Sequence, residues 1–404
     1  MNQFSIQSQN IYANYYYKNM KIVDLKSYII KNTWKKWVFI EIITDNGENG
    51  YGEATVYSGQ FSVVNHIKDI KKFIVNKDPF KVRELVNEWF TSSFNRNRDI
   101  VNMSLISGVE SACFDLIGKH FGSTIYNLFG GPVRNKIKVY ANGWYTNINN
   151  IEDWGKEARK VINKGYRALK FDPFGSGSGF LEYDEFKKSM EIIQIVHGVV
   201  GDKIEMLIEG HGRFNRSTAM KIGRELEKYP NIGWFEEPVI PEDIEGMAML
   251  SKSLKIPIAA GERLITSYDF TQLFKLNSVS IAQPDLINTG GIIELLKIGA
   301  MAEANNISMA PHQAEGPLNT FTTLNIDALM NNLKIQEMFD EFAYPAWITD
   351  IVDTVPEVKN GYVELPEKPG IGVNLKDKIN NYIADENDTD FNLFSEGWEK
   401  RGFK

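Results

Sequence analysis

Three stretches decide the fold: Ile204-Glu-Met-Leu-Ile-Glu209, Ile232-Gly-Trp-Phe-Glu-Glu-Pro238 and Ile256-Pro-Ile-Ala-Ala-Gly-Glu262. Each is a short apolar run of the kind that forms a buried strand, and each carries an acid at its end. Glu236 follows Glu209 by 27 residues, and Glu262 follows Glu236 by 26. One strand, one helix and two loops fill about that much chain. Three successive βα units would then bring the three acids to one level, where the strand ends of a parallel barrel converge. Like charges gathered at that mouth repel one another unless a cation neutralises them. Hard oxygen ligands with room left for substrate and water favour Mg²⁺.

Outward from these runs, strand and helix alternate on both sides. Val139-Tyr-Ala-Asn-Gly-Trp reads as the first barrel strand, with a helix over 151–164. Ala168-Leu-Lys-Phe-Asp-Pro reads as the second, with a helix over 183–199. After the acid-bearing strands come Val279-Ser-Ile-Ala-Gln-Pro-Asp-Leu, Ile307-Ser-Met-Ala-Pro-His and Lys334-Ile-Gln-Glu-Met-Phe. Eight strands with seven clear intervening helices predict a modified TIM barrel, (β/α)7β, over 136–345.

Residues 20–135 have another pattern. Lys21 to Ile30, Trp37 to Thr44 and Tyr51 to Thr55 alternate in the β manner around the turn Asp45-Asn-Gly-Glu-Asn-Gly50. Helical periodicity follows over 63–75, 81–90 and 102–119, so this is an α+β domain that caps the barrel. The loop-rich segment 346–404 is expected to pack back on that domain. Residues 1–19 lack the basic start and apolar stretch of a signal peptide, and read as a flexible arm or an oligomer contact.

The 404 residues suit a barrel plus a second domain, with 43% apolar residues to fill two cores. A net charge of −7 and a pI near 5.5 leave no footprint for nucleic acid. No uninterrupted apolar run reaches the length of a membrane span, about 18 residues. The one cysteine, Cys113, lies in a helical stretch as a core thiol, excludes an internal disulfide and fits a reducing, cytoplasmic setting.

Further polar residues end strands on the acids' side of the barrel. His211 follows Glu209 by two positions and so shares its face. Asp285 and His312 end adjacent strands about 4.8 Å apart, close enough for the carboxylate to fix the imidazole tautomer and raise its basicity. Glu337 ends the last strand; Lys170 and Asp172 end the second. A cation site, a base and further polar groups around it fit removal of a proton α to a carboxylate. His211 is placed to protonate a hydroxyl leaving C3, which gives dehydration; a second base facing C2 would instead give a racemase or epimerase. Lys170 also has a plain structural reading, as a partner of Asp172 or Glu209. Glu237 should face away from the mouth, Arg263 should pair with a ligand carboxylate, and the Gly175 to Gly179 loop reads as a lid. His66, His120 and His197 read as structural.

With these motifs in hand, the chain resembles the enolase superfamily in its mandelate racemase-like branch, and there the dehydratases of gluconate, galactonate and arabinonate. The stretches that carry the resemblance are Tyr140-Ala-Asn-Gly-Trp, Ile208-Glu-Gly-His-Gly-Arg-Phe, Phe235-Glu-Glu-Pro, Gly261-Glu-Arg-Leu, Gln283-Pro-Asp-Leu and Ala310-Pro-His. The resemblance implies Mg²⁺ on Glu209, Glu236 and Glu262, and C2 proton abstraction by His312 with Asp285. It also implies protonation of the C3 hydroxyl by His211, a hydrogen bond from Glu337 to the substrate carboxylate, and a 2-keto-3-deoxy sugar acid as product. Many relatives carry Asp where this chain has Glu209, a change of reach more than of chemistry. The second lysine that racemases carry on the second strand is replaced by Asp172, which lowers the odds of racemisation. The capping domain would select the sugar acid through two loops, making Trp34, Lys35, Lys36, Trp37, Tyr57 and Ser58 candidates for contacting hydroxyls; Asp172 and Arg263 are further candidates. Relatives form homo-oligomers up to octamers, and the same is expected here.

Overall fold

The computed structural model describes residues 20–385, apart from 33–34, 93, 95, 147, 149, 340–341 and 343. The extension 1–19, Trp34 and the last part of the C-terminal segment, 386–404, lie outside the described residues. The capping domain opens with an antiparallel sheet, β1 (Ile22–Ile30), β2 (Trp37–Thr44) and β3 (Asn49–Glu53), in the order β1-β2-β3. Three helices pack on it: α1 (Gln60–Ile74), α2 (Val82–Thr91) and α3 (Ile100–Phe121).

The third of these corrects the count of apolar runs. Over α3 the mean hydropathy reaches 1.4, so by length and composition alone it is long and apolar enough to cross a membrane. Single polar residues such as Ser104, Ser107 and Ser111 interrupt it and hide it from a search for unbroken runs. Within that window 83% of the residues are buried inside the fold, so protein rather than lipid takes up its apolar surface. Asp99 caps its start by accepting from the Asn102 N–H, and Gly122, in the left-handed region, ends it. Cys113 lies in its core with no solvent access.

After a short helix, α4 (Ile125–Leu128), the barrel begins with β4 (Lys136–Ala141) and α5 (Asp153–Asn163). It continues through β5 (Ala168–Phe171), α6 (Tyr183–Val200), β6 (Glu205–Glu209), α7 (Arg216–Leu226), β7 (Ile232–Glu236) and α8 (Ile244–Ser253). Next come β8 (Ile258–Ala260), α9 (Thr266–Lys275), β9 (Ile281–Ala282), the single turn α10 (Leu286–Thr289), α11 (Ile292–Ala304) and β10 (Ser308–Met309). The last unit is α12 (Pro317–Asp327) and β11 (Gln336–Met338). The strands run parallel in the order β10-β9-β8-β7-β6-β5-β4-β11, and a bridge between Met309 and Leu333 links the two ends. This is the modified TIM barrel, with the capping domain beside it.

The C-terminal stretch serves both bodies. After α13 (Ile348–Ile351), β12 (Tyr362–Glu364) adds an antiparallel strand to the first half of β4, a pairing the sequence pattern did not suggest. Bridges from Gly370 to Thr124 and from Ile383 to Ile30 then join it to the capping domain.

What positions the site is the period-two alternation of side chains inside the barrel. A plug of eight buried residues, Tyr140, Ala168, Leu207, Trp234, Ala259, Ile281, Ala310 and Ile335, comes from successive strands or the residue next to them. Two residues further along, the same inward face carries Asn142, Lys170, Glu209, Glu236, Gln283, His312 and Glu337. The apolar plug is thus the floor, and the polar residues stand above it. On β8 the next inward position is Gly261, at φ 132, and the acid arrives one residue later as Glu262.

Candidate active site

A cavity of about 550 Å³ opens between the capping domain and the barrel mouth. The barrel contributes Asn142, Lys170, His211, Glu262, Arg263 and His312, and the cap contributes Lys35, Thr55 and Tyr57. Glu209, Glu236 and Glu262 offer carboxylate oxygens that all lie within 4.8 Å of one another. Glu209 Oε1 accepts the His211 N–H at 2.7 Å, and Trp234 Nε1–H donates to Glu236 Oε2 at 2.8 Å. Glu209 Oε2 is buried with no hydrogen-bond partner among the described residues. Burial raises both Glu209 and Glu236 above the ordinary carboxylate range, and for Glu236 repulsion from Glu209 adds to it. Burial would raise Glu262 as well, but His312 and Arg263 outweigh it and hold that carboxyl low. Three buried, mutually repelling carboxylates whose oxygens come this close together fit a hard divalent cation.

Lys170 supplies the cation that the chain itself provides. Its Nζ lies 2.5 Å from Glu236 Oε1, 3.0 Å from Glu337 Oε1 and 3.3 Å from Glu209 Oε2. Of its two expected partners, Glu209 is present and Asp172 is not. Asp172 is instead taken by His211 and Arg213.

Asp172 Oδ2 sits 2.6 Å from His211 Nδ1 and accepts a hydrogen bond from Arg213 Nη2 at 2.6 Å. Burial opposes the Asp172 charge, yet Arg213 and His211 prevail and hold its pKa low. His211 turns back at φ 50 to reach it. Burial lowers the pKa of His211 despite that carboxylate. Opposite stands a second pair: His312 Nδ1 lies 2.8 Å from Asp285 Oδ2. Asp285 Oδ1 caps α10 by accepting the N–H groups of Ile287 and Asn288 at 2.7 and 3.0 Å. Burial pushes the Asp285 carboxyl up to about 6. Burial would lower His312, but Glu262, 3.5 Å from its Nε2, together with Glu337 and the Asp285 hydrogen bond, raises it well above an ordinary imidazole.

Glu337 is fully buried and does not line the cavity. Its oxygens accept from Asn142 Nδ2 at 2.7 Å and from the Gln313 N–H at 3.0 Å. Asn142, which the sequence reading passed over, links this carboxylate to the cavity wall, as Lys170 does. Trp37 does not meet the cavity either: it packs edge-on against Tyr344 and Trp347 in the core between the two domains. Tyr57 and Arg263 do line it. Arg263 pairs with Glu237 at 2.7 Å and more loosely, at 3.5 Å, with the candidate ligand Glu262. Glu237, at φ 37, is not one of the three clustered acids and is buried on that arginine. The Gly175 to Gly179 loop is no cover for the mouth: its carbonyls and N–H groups are tied to Arg213 and Asn215, and none of its residues lines the cavity. His66, His120 and His197 pair with Asn102, Glu48 and Asp202 outside it.

Comparison with known proteins agrees with this architecture. Residues 28–130 match the family described as mandelate racemase / muconate lactonizing enzyme, N-terminal domain, and residues 153–379 match the one described as enolase C-terminal domain-like. A D-gluconate/D-galactonate dehydratase of Picrophilus torridus is 33% identical over 387 residues, covering 95% of this chain and 98% of the relative. A D-galactonate dehydratase of Ralstonia pickettii is 30% identical, covering 89% and 93%. Among solved structures, a member of the enolase superfamily from Salmonella Typhimurium superposes with a TM-score of 0.84 at 26% identity, covering 90% of this chain and 98% of that one.

Proposed function

The chain belongs to the mandelate racemase / muconate lactonizing enzyme family of the enolase superfamily, and on that premise we propose an Mg²⁺-dependent dehydration of an aldonic acid of the gluconate or galactonate kind. The enzyme is a sugar-acid dehydratase, a hydro-lyase. One observation carries the reaction chemistry: two histidines, each backed by its own buried carboxylate, line the same cavity as the acid Glu262.

Glu209, Glu236 and Glu262 would hold the ion. When bound, a divalent cation supplies positive charge that offsets the three carboxylates, including the Glu262 charge that holds the proton of His312, and the charge that grows on the substrate carboxylate. His312 takes the C2 proton on Nε2, since Asp285 accepts from Nδ1–H and fixes that tautomer. Asp172 holds His211 by the same nitrogen, so His211 gives a proton to the C3 hydroxyl from Nε2 only as the imidazolium, a charge that Asp172 favours against the burial that opposes it. The electrons freed at C2 form the C2–C3 double bond as that hydroxyl leaves as water. The resulting enol then becomes the 2-keto-3-deoxy acid. A racemase would need a second base facing C2, and the Lys170 ammonium, encircled by Glu209, Glu236 and Glu337, is a poor one.

The test is a stereochemically complete panel of five- and six-carbon aldonates with Mg²⁺, read by 2-keto-acid formation and repeated in D₂O. The expected result is keto acid from one or a few members, abolished by a chelator. Exchange at C2 with no keto acid from any member would replace dehydratase by epimerase. We also propose that the enzyme works in the cytoplasm as a homo-oligomer, which sedimentation of the purified protein would check.

A further inference from the structure

We propose that Lys35 and Glu53, two charged residues of the capping domain, are positioning residues for the base: they clamp to the cap the segment 312–316 that carries His312. The proposal rests on the reading that His312 takes the proton. Between the two-residue strand β10 and the start of α12, this segment has no regular structure to hold it. The barrel grips its first half, through Asp285 on His312 and through Glu337 on the Gln313 N–H. The cap grips its second half. Lys35 Nζ donates to Glu315 Oε1 at 2.9 Å, with both side chains buried. Glu53 Oε1 accepts the Gly316 N–H at 2.7 Å, and its Oε2 accepts the Asn319 N–H at 2.9 Å.

Each contact is built for this place. Glu53 lies at the N-terminus of α12, where free N–H groups and the helix dipole favour an anion and oppose the burial that pushes its carboxyl up to about 8. A Cβ at position 316 would lie 2.8 Å from the same carboxylate and 3.0 Å from the Trp37 ring, so the glycine there lets the backbone approach Glu53 this closely. Glu53 pairs across the sheet with Phe39 on β2, which leads back to Lys35, so the two clamps descend from one corner of the cap. Glu315 also stands close to the base: donor atoms of Asp285, His312 and Glu315 lie within 4.8 Å of one another. That group does not read as a second cation site, because the Lys35 ammonium already occupies Glu315 and Asp285 is engaged with α10 and His312. Lys35 and Thr55, the latter donating to Glu53 at 2.5 Å, also line the cavity beside Tyr57. A cap that shifts by an ångström therefore moves the base with it, and a misplacement of that size costs about 100-fold in rate.

The test uses full-length protein with Mg²⁺ and the best aldonate of the panel, and measures kcat, KM and amide hydrogen exchange of 313–319 in the substrate-free state. In Lys35→Met, kcat should fall by about 10- to 100-fold with KM within about threefold of wild type, exchange of the segment should quicken, and Lys35→Arg should restore most of both. The double variant Lys35→Met/Glu315→Gln leaves no buried charge unpaired and guards against mere unfolding; it should show the same loss. In Glu53→Gln, exchange at Gly316 and Asn319 should quicken while the rest of the cap stays at wild-type protection. A rise in KM with kcat and exchange unchanged would make Lys35 a substrate contact and overturn the proposal, as would a double variant equal to wild type. If exchange responds but the wild type dehydrates no aldonate, the clamp stands and the dehydratase reading falls.

Discussion

Replacing Lys170 by Met tests the charge balance of the barrel mouth. Its ammonium touches Glu236, Glu337 and Glu209, and none of the four residues is more than 2% exposed. Met keeps the unbranched stem and removes the charge. Without a divalent ion, the carboxylates then have one cheap remedy, which is to take up a proton. Burial, and then repulsion from Glu209, already raises Glu236 well above its ordinary 4.5. Suppose the folded variant must hold one proton more than wild type on a group that is ionised above pH 4.5 when unfolded. The deficit is then about 3.4 kcal/mol at pH 7 and about 0.7 kcal/mol at pH 5, at about 1.4 kcal/mol per pH unit. The larger figure falls in the range of about 3–5 kcal/mol seen when one partner of a buried ion pair is removed. Urea unfolding in the presence of a chelator, at both pH values, measures the deficit. Added Mg²⁺ should narrow it at pH 7, because the ion binds only the folded cluster. A deficit below about 1 kcal/mol at pH 7, or one equal at the two pH values, would refute Lys170 as the internal counter-ion.

Three further outcomes follow from the geometry. His312→Asn should lower turnover by about 1,000-fold or more while Mg²⁺ affinity, read by calorimetry, stays close to wild type; substantial residual activity would exclude it as the base. Asp172→Asn leaves His211 without its carboxylate, so keto-acid formation should fall by about 100-fold while C2 exchange in D₂O persists; equal loss of both would place Asp172 on the abstraction side instead. Burial pushes Glu110 up to about 8 although the Ile293 N–H donates to its Oε2 at 3.3 Å. Its folded pKa lies above its unfolded one, so its contribution is intact below about pH 4.5 and is lost as the pH climbs toward 8. Glu110→Gln should therefore gain stability over wild type from pH 5 to 8, by up to about 1.4 kcal/mol per unit, and parallel denaturation curves would contradict the sign.

The sequence carried the barrel and most of its mouth because both obey simple periods. One βα unit repeats at a near-constant length, which made the Glu209, Glu236 and Glu262 spacing readable. Side chains alternate along a strand, which put His312 and Glu337 on the inner face. What escaped was set by departures from those periods. Lys170 reaches Glu236 and Glu337 as well as Glu209, and strand position alone does not say which way a flexible lysine leans. The exclusion of Trp37 from the cavity was equally hidden: alternation on β2 gives a face, and only the packing of Tyr344 and Trp347 decides what lies across it.

The pairing of His211 with Asp172 shows where such reading stops and what would extend it. In sequence the two are 39 residues apart on different strands, and His211 joins them only by adopting φ 50. A non-glycine residue in the left-handed region costs energy, and it persists where the surroundings hold it. Here its N–H is held by Glu209 Oε1 and its ring by Asp172. The flanking Gly210 and Gly212 were the available signal, since glycines on both sides of a histidine at a strand end mark a tight turn there. Read that way, the Gly-His-Gly turn brings an imidazole to the end of the second strand, and Asp172 there becomes its partner. On the proposed mechanism Asp172 then does more than stand where a second base would: it orients the imidazole that would protonate a departing hydroxyl, and that would separate losing water from C3 from exchanging a proton at C2.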